Sequence, residues 1–196
     1  MQASDKPKKK NQPSQKPRLV NTKWVATIMP VSFVLSVVMS YLSNEALGSS
    51  GTFLSFVVSF FFIALGIVFD MIGIAAASAT EKEFHSMAAH RVRGAKEAVW
   101  MTRNAEKVSS ICNDVVGDIC GIVSGATGAL IVANITAGMN GVQVVLISLL
   151  ITGMISALTI GGKAAGKGVA IAFSSRVLSI CGRILSVLPV SLDGKK

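Results

Sequence analysis

The chain has 196 residues, of which 51% are apolar and only 15% are charged, and its mean hydropathy is +0.60. A soluble domain of this size carries about 25% charged residues, so the composition excludes an ordinary soluble globule and indicates a membrane protein. Basic residues outnumber acidic residues by 19 to 10, an excess that points either to nucleic acid or to membrane topology.

Residues 1–23 are predicted to form a disordered, basic cytoplasmic tail. The segment holds seven basic side chains and three prolines, with almost nothing that a core could bury. Two roles are open: attraction to anionic lipids at the cytoplasmic face, at about 1 kcal/mol per basic residue, or a solubilising tail that sets the topology. The tail offers neither a folded groove nor stacking aromatics, so no nucleic-acid partner is expected.

Residues 24–44 are predicted to form a first transmembrane helix. The stretch from Trp24 to Leu42 carries no charge, and Trp24 and Tyr41 are suited to the two membrane interfaces. A cleaved signal peptide is the alternative, with small residues at 46–48 as the cleavage site. The long basic segment before this stretch and its long apolar core favour a retained helix over a cleaved signal peptide.

Three more apolar segments are long enough to cross a bilayer as helices, at about residues 53–79, 108–137 and 142–160. The connections between spans alternate in charge: residues 43–51 carry only Glu45 and residues 138–141 carry none, whereas residues 81–107 and 163–196 carry six basic residues each. By the positive-inside rule, this pattern predicts a multi-pass protein of the cell (plasma or inner) membrane with both termini in the cytoplasm.

The cytoplasmic connection, residues 81–107, is predicted to be a helical hairpin at the membrane interface. Thr80 followed by Glu83 is typical of a capping box that starts a helix, and Gly94 offers a break between the two halves. Apolar side chains recur along both halves, which favours contact with the interface.

Residues 164–190 are predicted to form a C-terminal amphipathic helix in the membrane plane. Polar residues recur at steps of three and four, with apolar residues opposite them. A fifth span is the alternative, but Arg176 and Arg183 near its middle would each cost several kcal/mol. The predicted fold class is therefore an all-α integral membrane protein with four transmembrane helices, an interfacial hairpin and an in-plane helix.

Three carboxylates lie inside the predicted spans, where ionisable groups are costly and are first interpreted as functional: Asp70, Asp114 and Asp118. They are expected to converge in the inner half of the bundle, where oxygen ligands would suit a hard cation such as Mg²⁺, as a bound or transported ion. The expected neighbours of this metal site are Ser110, Asn113, Gly117 and Lys163. The alternative is an ion pair, in which Lys163 neutralises one of the aspartates.

Small residues repeat at every fourth position beside these acids. This spacing lets helices approach closely in lipid, either within one chain or across a dimer. Packing alone is the simpler explanation for each residue taken singly. The two sets are Gly117, Gly121 and Gly125, then Gly153, Ala157 and Gly161.

Residues 161–168 match the spacing of a phosphate-binding loop, but Gly168 stands where that loop needs Ser or Thr. The preceding element is a membrane helix rather than a strand, so no nucleotide is expected to bind. The chain also shows no set of nucleophile, base and orienting residue. Neither enzymatic activity nor a covalent cofactor is predicted.

Several short motifs follow one another in a characteristic order: Phe69–Gly73, Arg93–Gly94–Ala95, Asn104–Ala105–Glu106–Lys107, Gly117–Asp118 and Gly162–Lys163–Ala164–Ala165–Gly166–Lys167. In this order, residues 53–190 resemble the transmembrane domain of the CNNM/CorC (CorB-like) magnesium-transporter family, without its CBS domains. Residues 24–44 would be an additional N-terminal helix.

In that family, Ser, Asn and Glu side chains of these motifs contribute to a cytoplasm-facing magnesium site within a homodimer. The resemblance therefore implies a homodimer and divalent-cation transport. This chain carries Asp70 at the Ser position, Gly73 at the first Glu, Asp118 at the Asn and Lys163 at the second Glu. Two functions follow: divalent-cation transport through the three aspartates, or a non-transporting structural or regulatory role in which Lys163 neutralises them.

Overall fold

The computed structural model describes residues 22–47 and 51–187, and within these ranges all regular structure is helical, with no strand. The all-α prediction is therefore confirmed for the described part of the chain. The predicted disorder of residues 1–23 lies outside it, except that Thr22 and Lys23 already belong to the first helix.

Eight α-helices and one π-helix follow in chain order in the described residues. They are α1 (Thr22–Leu47), α2 (Thr52–Ser78), α3 (Glu81–Ala89), α4 (Ala95–Arg103), α5 (Ala105–Ser109), the π-helix (Ser110–Gly117), α6 (Asp118–Ile135), α7 (Gly141–Ala172) and α8 (Ser174–Val187).

Four helical segments are long and apolar enough to cross a membrane, as the sequence predicts: Thr22–Glu45, Thr52–Ser78, Ala105–Ile135 and Gly141–Ala172. The last of them continues past its predicted end at residue 160. Lys163 interrupts the hydrophobic pattern but does not break the helix, because lysine and the neighbouring alanines are good helix formers and α7 contains no proline. The C-terminal segment is therefore divided at Phe173, between α7 and α8.

The helix α2 is the centre of the bundle and packs against α6, α7, the π-helix and α8. One buried cluster lies between α2 and the π-helix–α6 segment, around Phe62, Ile119 and Cys120. A second cluster joins α2 and α7 to the short helices α3, α4 and α8, with Phe84 and Leu178 fully buried. The short helices are thus held to the bundle by their own apolar contacts.

The helix α1 lies at the edge of this bundle. Among its described side chains only Ser43 is buried, and its hydroxyl lies 3.4 Å from that of Thr127 in α6. Pro30 lies inside α1, at a position that membrane helices tolerate.

The predicted break at Gly94 is present, with Gly94 in the left-handed region (φ +86°) directly before α4. Thr80 precedes α3 as expected, but its side chain makes no capping hydrogen bond. The carboxylate of Glu83 instead accepts a hydrogen bond from the Ser175 hydroxyl of α8. The hairpin is thus tied to α8.

Candidate functional site: a polar layer between α2, the π-helix and α7

An ion pair connects the centre of the bundle to α7. The Lys163 ammonium nitrogen lies 4.0 Å from Oδ1 of Asp70, and the two side chains are 27% and 15% exposed. This distance is within range for an ion pair and too long for a direct hydrogen bond. Of the three aspartates, Asp70 is therefore the one that Lys163 contacts.

Two glycines of α7 position this pair. A Cβ atom built on Gly166 would lie 2.9 Å from Cγ of Met71, and one built on Gly162 would overlap the Ile67 side chain. Because neither glycine has a side chain, the two α2 residues can seat against the backbone of α7. Asp70 and Lys163 each lie between these contacts in sequence and are brought together.

The Lys163 ammonium also lies beside the end of the π-helix. A Cβ atom built on Gly117 would be 3.4 Å from the Lys163 nitrogen and 3.4 Å from the carbonyl oxygen of Cys112. Gly117 is buried, and so the ammonium lies between Asp70 of α2 and the backbone of the π-helix.

Asn113 lies one turn before Gly117 and faces α2 at Gly73. Its side chain fills the space that a side chain on Gly73 would need, with Cγ 2.8 Å from the built Cβ position. The amide nitrogen donates a hydrogen bond to the Ser109 hydroxyl at 3.3 Å, whereas Oδ1 is buried without a partner among the described residues. An acceptor of this kind is uncommon in a native structure. The sequence did not show that Gly73 makes room for it.

Asp114 and Asp118 are both exposed, and Asp114 accepts a hydrogen bond from the Ser110 hydroxyl at 2.9 Å. The face of this helix that meets α2 carries apolar side chains instead, including Val116 and Ile119. Within the described ranges, no group of three or more His, Cys, Asp or Glu side chains could hold a metal ion. The expected convergence of Asp70, Asp114 and Asp118 is therefore not formed. The four-residue spacing of Asp114 and Asp118 predicts that they share one face of the helix, but it does not predict whether that face meets α2.

The π-helix carries four of the residues predicted near the site: Ser110, Asn113, Asp114 and Gly117. Such segments are rare and are frequently found at functional sites. No sequence pattern indicated it.

A groove of about 200 Å³ between α6 and α7 begins one helical turn from Gly117 and Lys163, near Gly121 and Thr159. Glycines line it on the α6 side and hydroxyl groups on both sides, from Ser124, Thr152, Ser156 and Thr159. The groove therefore places further polar groups next to Lys163 and the end of the π-helix.

A separate charged cluster lies between α3 and α4. Arg103 Nε donates a hydrogen bond of 2.5 Å to Glu81 Oε1, and His85 Nε2 lies 2.8 Å from the same oxygen. The Arg103 hydrogen bond, followed by that of His85, lowers the pKa of the exposed Glu81 carboxyl. This cluster ties the two arms of the hairpin together.

Comparison with known proteins finds no matching family model, no similar curated protein and no similar solved structure. The resemblance to the CNNM/CorC family therefore rests on the short motifs and their order.

Proposed function

We propose that this chain is a multi-pass membrane protein with a CNNM-like transmembrane domain, in which the Lys163 ammonium takes the place of a metal ion. The chain would then act as a non-transporting structural or regulatory protein. The observation that carries the proposal is the 4.0 Å distance between Lys163 and Asp70. By the resemblance to the CNNM/CorC family, Lys163 stands at the position of a metal-binding Glu.

Charge supports this assignment. A divalent cation about 4 Å from the Lys163 ammonium would meet a repulsion of about 8 kcal/mol at an effective dielectric constant of about 20. Asp70 is the only carboxylate that faces this point among the described residues. One carboxylate balances one ammonium, so the pair needs no additional ion. A metal ion could bind Asp70 only after Lys163 had moved away.

The proposed membrane placement follows from helix length. At 1.5 Å per residue, the part of α7 from Gly141 to Lys163 extends about 34 Å, slightly more than a hydrocarbon core of about 30 Å. The Asp70–Lys163 pair would then lie at the inner boundary of the hydrocarbon. Both termini, the α3–α4 hairpin and α8 would lie at the cytoplasmic face, as the basic residues favour.

Divalent-cation transport is the second candidate, and it is favoured by the exposed carboxylates of Asp114 and Asp118 on the inner half of their span. The groove lined by hydroxyl groups adjoins this face and would supply oxygen atoms further outward. In this candidate Lys163 swings toward the interface. A second copy of the chain in a homodimer, which the resemblance implies, would cover the same face.

Magnesium binding by the purified, full-length protein separates the two candidates. Wild type, Lys163→Ala and Asp118→Asn are reconstituted in vesicles for Mg²⁺ uptake and studied in detergent for Mg²⁺-dependent thermal stability. We expect no uptake and no stabilisation of wild type. We expect Mg²⁺ to stabilise Lys163→Ala, because its Asp70 has lost the ammonium, with a gain that rises with ion concentration.

The opposite result would be equally clear. Uptake by wild type that Asp118→Asn abolishes would establish transport and overturn the proposal that the Lys163 ammonium takes the place of a metal ion. Lys167→Ala is the matched control, since Lys167 lies one turn further along α7 and is exposed. It should respond to Mg²⁺ as wild type does.

A further inference from the structure

The helix α8 exposes a face on which arginine and large apolar residues are mixed. Arg176, Ile180, Arg183 and Ile184 lie within about 100° of one another around the helix axis. Both isoleucines are 59% exposed, whereas Leu178 and Gly182 on the opposite side are buried against the bundle. We call these four residues the α8 face.

The sequence predicted a different division of α8, with the arginines on one side and the isoleucines on the other. In the structure the two kinds share one face, because the buried side is formed by Leu178 and Gly182. Two exposed isoleucines are unfavourable in water, and two arginines are unfavourable in hydrocarbon. A surface that combines them fits the headgroup boundary of a bilayer.

The position of α8 along the bundle agrees with this boundary. The 32 residues of α7 extend about 48 Å, against about 40–45 Å for a bilayer that includes its headgroups. Because α7 is slightly longer than this and only Phe173 separates the two helices, α8 begins close to the cytoplasmic edge of the headgroups. Phe173 is half exposed, and its ring centroid lies 5.7 Å from the Arg176 guanidinium carbon. This cation–π contact holds Arg176 at the α7–α8 junction.

More positive charge lies beside Arg183. A Cβ atom built on Gly94 would be only 2.5 Å from the Arg183 backbone nitrogen, so the turn that precedes α4 touches α8 at this point. Arg93 and Lys96, on either side of that turn, are exposed. The ion pairs of the described chain use none of these basic residues.

We infer that the α8 face, together with Arg93 and Lys96, binds the phosphate headgroup of an anionic phospholipid in the cytoplasmic leaflet. Guanidinium groups bind phosphate oxygens in a bidentate manner, and the two isoleucines lie against the upper acyl chains. The inference does not depend on whether the chain transports an ion.

The test is a titration of the detergent-solubilised, full-length protein with phosphatidylglycerol, followed by native mass spectrometry. The variant Arg176→Gln/Arg183→Gln removes two charges from the α8 face. At about 1 kcal/mol for each basic residue at a lipid surface, it should bind this lipid roughly 30-fold more weakly. Each single variant should lose roughly five-fold, and these single variants decide the question if the double variant does not purify.

The matched control is Lys82→Gln/Lys107→Gln, which removes two exposed charges outside the α8 face. It should retain nearly wild-type affinity, and the basic tail is the same in every protein compared. Binding to wild type should weaken as salt is raised, and phosphatidylcholine should bind weakly to all variants. Equal losses in the two double variants, equal binding of both lipids or binding insensitive to salt would each overturn the inference.

Discussion

The carbonyl oxygen of Gly94 occupies the space that a side chain on Gly182 would need. The turn before α4 and the middle of α8 are therefore in contact through their backbones. Gly94 is held there in the left-handed region, a conformation that other residues adopt only at a cost. This contact, together with the Ser175–Glu83 hydrogen bond, joins the hairpin to α8.

Gly182→Ala should therefore destabilise the protein, by about 1–3 kcal/mol, because the added methyl group meets backbone atoms that have no flexible end to move. The measurement is thermal unfolding in detergent. Gly168→Ala is the control, since a Cβ atom built on Gly168 meets nothing within 4 Å. It should be neutral or slightly stabilising in the helix. Equal stability of the two variants would contradict the contact.

The ion pair should be visible as an energetic coupling between Asp70 and Lys163. Each of the variants Asp70→Asn and Lys163→Met leaves one partly buried charge without its partner and should lower the unfolding free energy by about 1–3 kcal/mol. The double variant should cost less than the sum of the two single variants. Additive effects in this double-mutant cycle would show that the residues do not interact.

The Glu81 cluster predicts a pH dependence of stability. Its carboxyl pKa is lowered from 4.5 in the folded protein, chiefly by the Arg103 hydrogen bond. A lowered folded-state pKa contributes stability above 4.5 that is lost as the pH falls through the folded-state value. Wild type should thus unfold at a higher temperature than Glu81→Gln near pH 7, and this difference should shrink as the pH falls below 4.5. Glu106 takes part in none of the ion pairs of the described residues, so Glu106→Gln serves as the control, and its difference from wild type should not shrink in this way.

The topology can be tested by labelling single cysteines. In a chain whose native cysteines are changed to alanine, Asn140→Cys lies in the α6–α7 connection and Lys82→Cys lies in the hairpin. A membrane-impermeant maleimide added to intact cells should label Asn140→Cys alone. Lys82→Cys should react only after the membrane is permeabilised. The reverse pattern would place the hairpin outside.

Much of the architecture could be predicted because it depends on properties that a single sequence displays. Long apolar stretches with few or no charged residues identified the four long helices, and Gly94 marked the break in the hairpin. The helix α7 runs on to Ala172, beyond the apolar segment that ends at residue 160, because Lys163 changes the hydropathy of the segment without disturbing helix geometry. Hydropathy reports where lipid contact ends, and that point is not always the end of a helix.

The candidate site was less predictable, because it depends on contacts between distant segments. The possible pairing of Lys163 with an aspartate followed from its place at the end of a span, but its partner Asp70 is selected by how Gly162 and Gly166 seat against α2. The outward direction of Asp114 and Asp118 depends on which face of their helix meets α2. A spacing rule contains no information about that choice.

The marginal attachment of α1 has a consequence for biosynthesis. A helix that fully buries only Ser43 among its described side chains, with Ile28, Leu35 and Met39 partly buried against the bundle, adds less to the stability of the finished bundle than the central helix α2 does. Its basic flank, which precedes all the other spans, can still direct which end of the nascent chain stays in the cytoplasm. A chain made without residues 1–47 should therefore retain the packing of α2–α8 but lose the uniform orientation with which it enters the membrane.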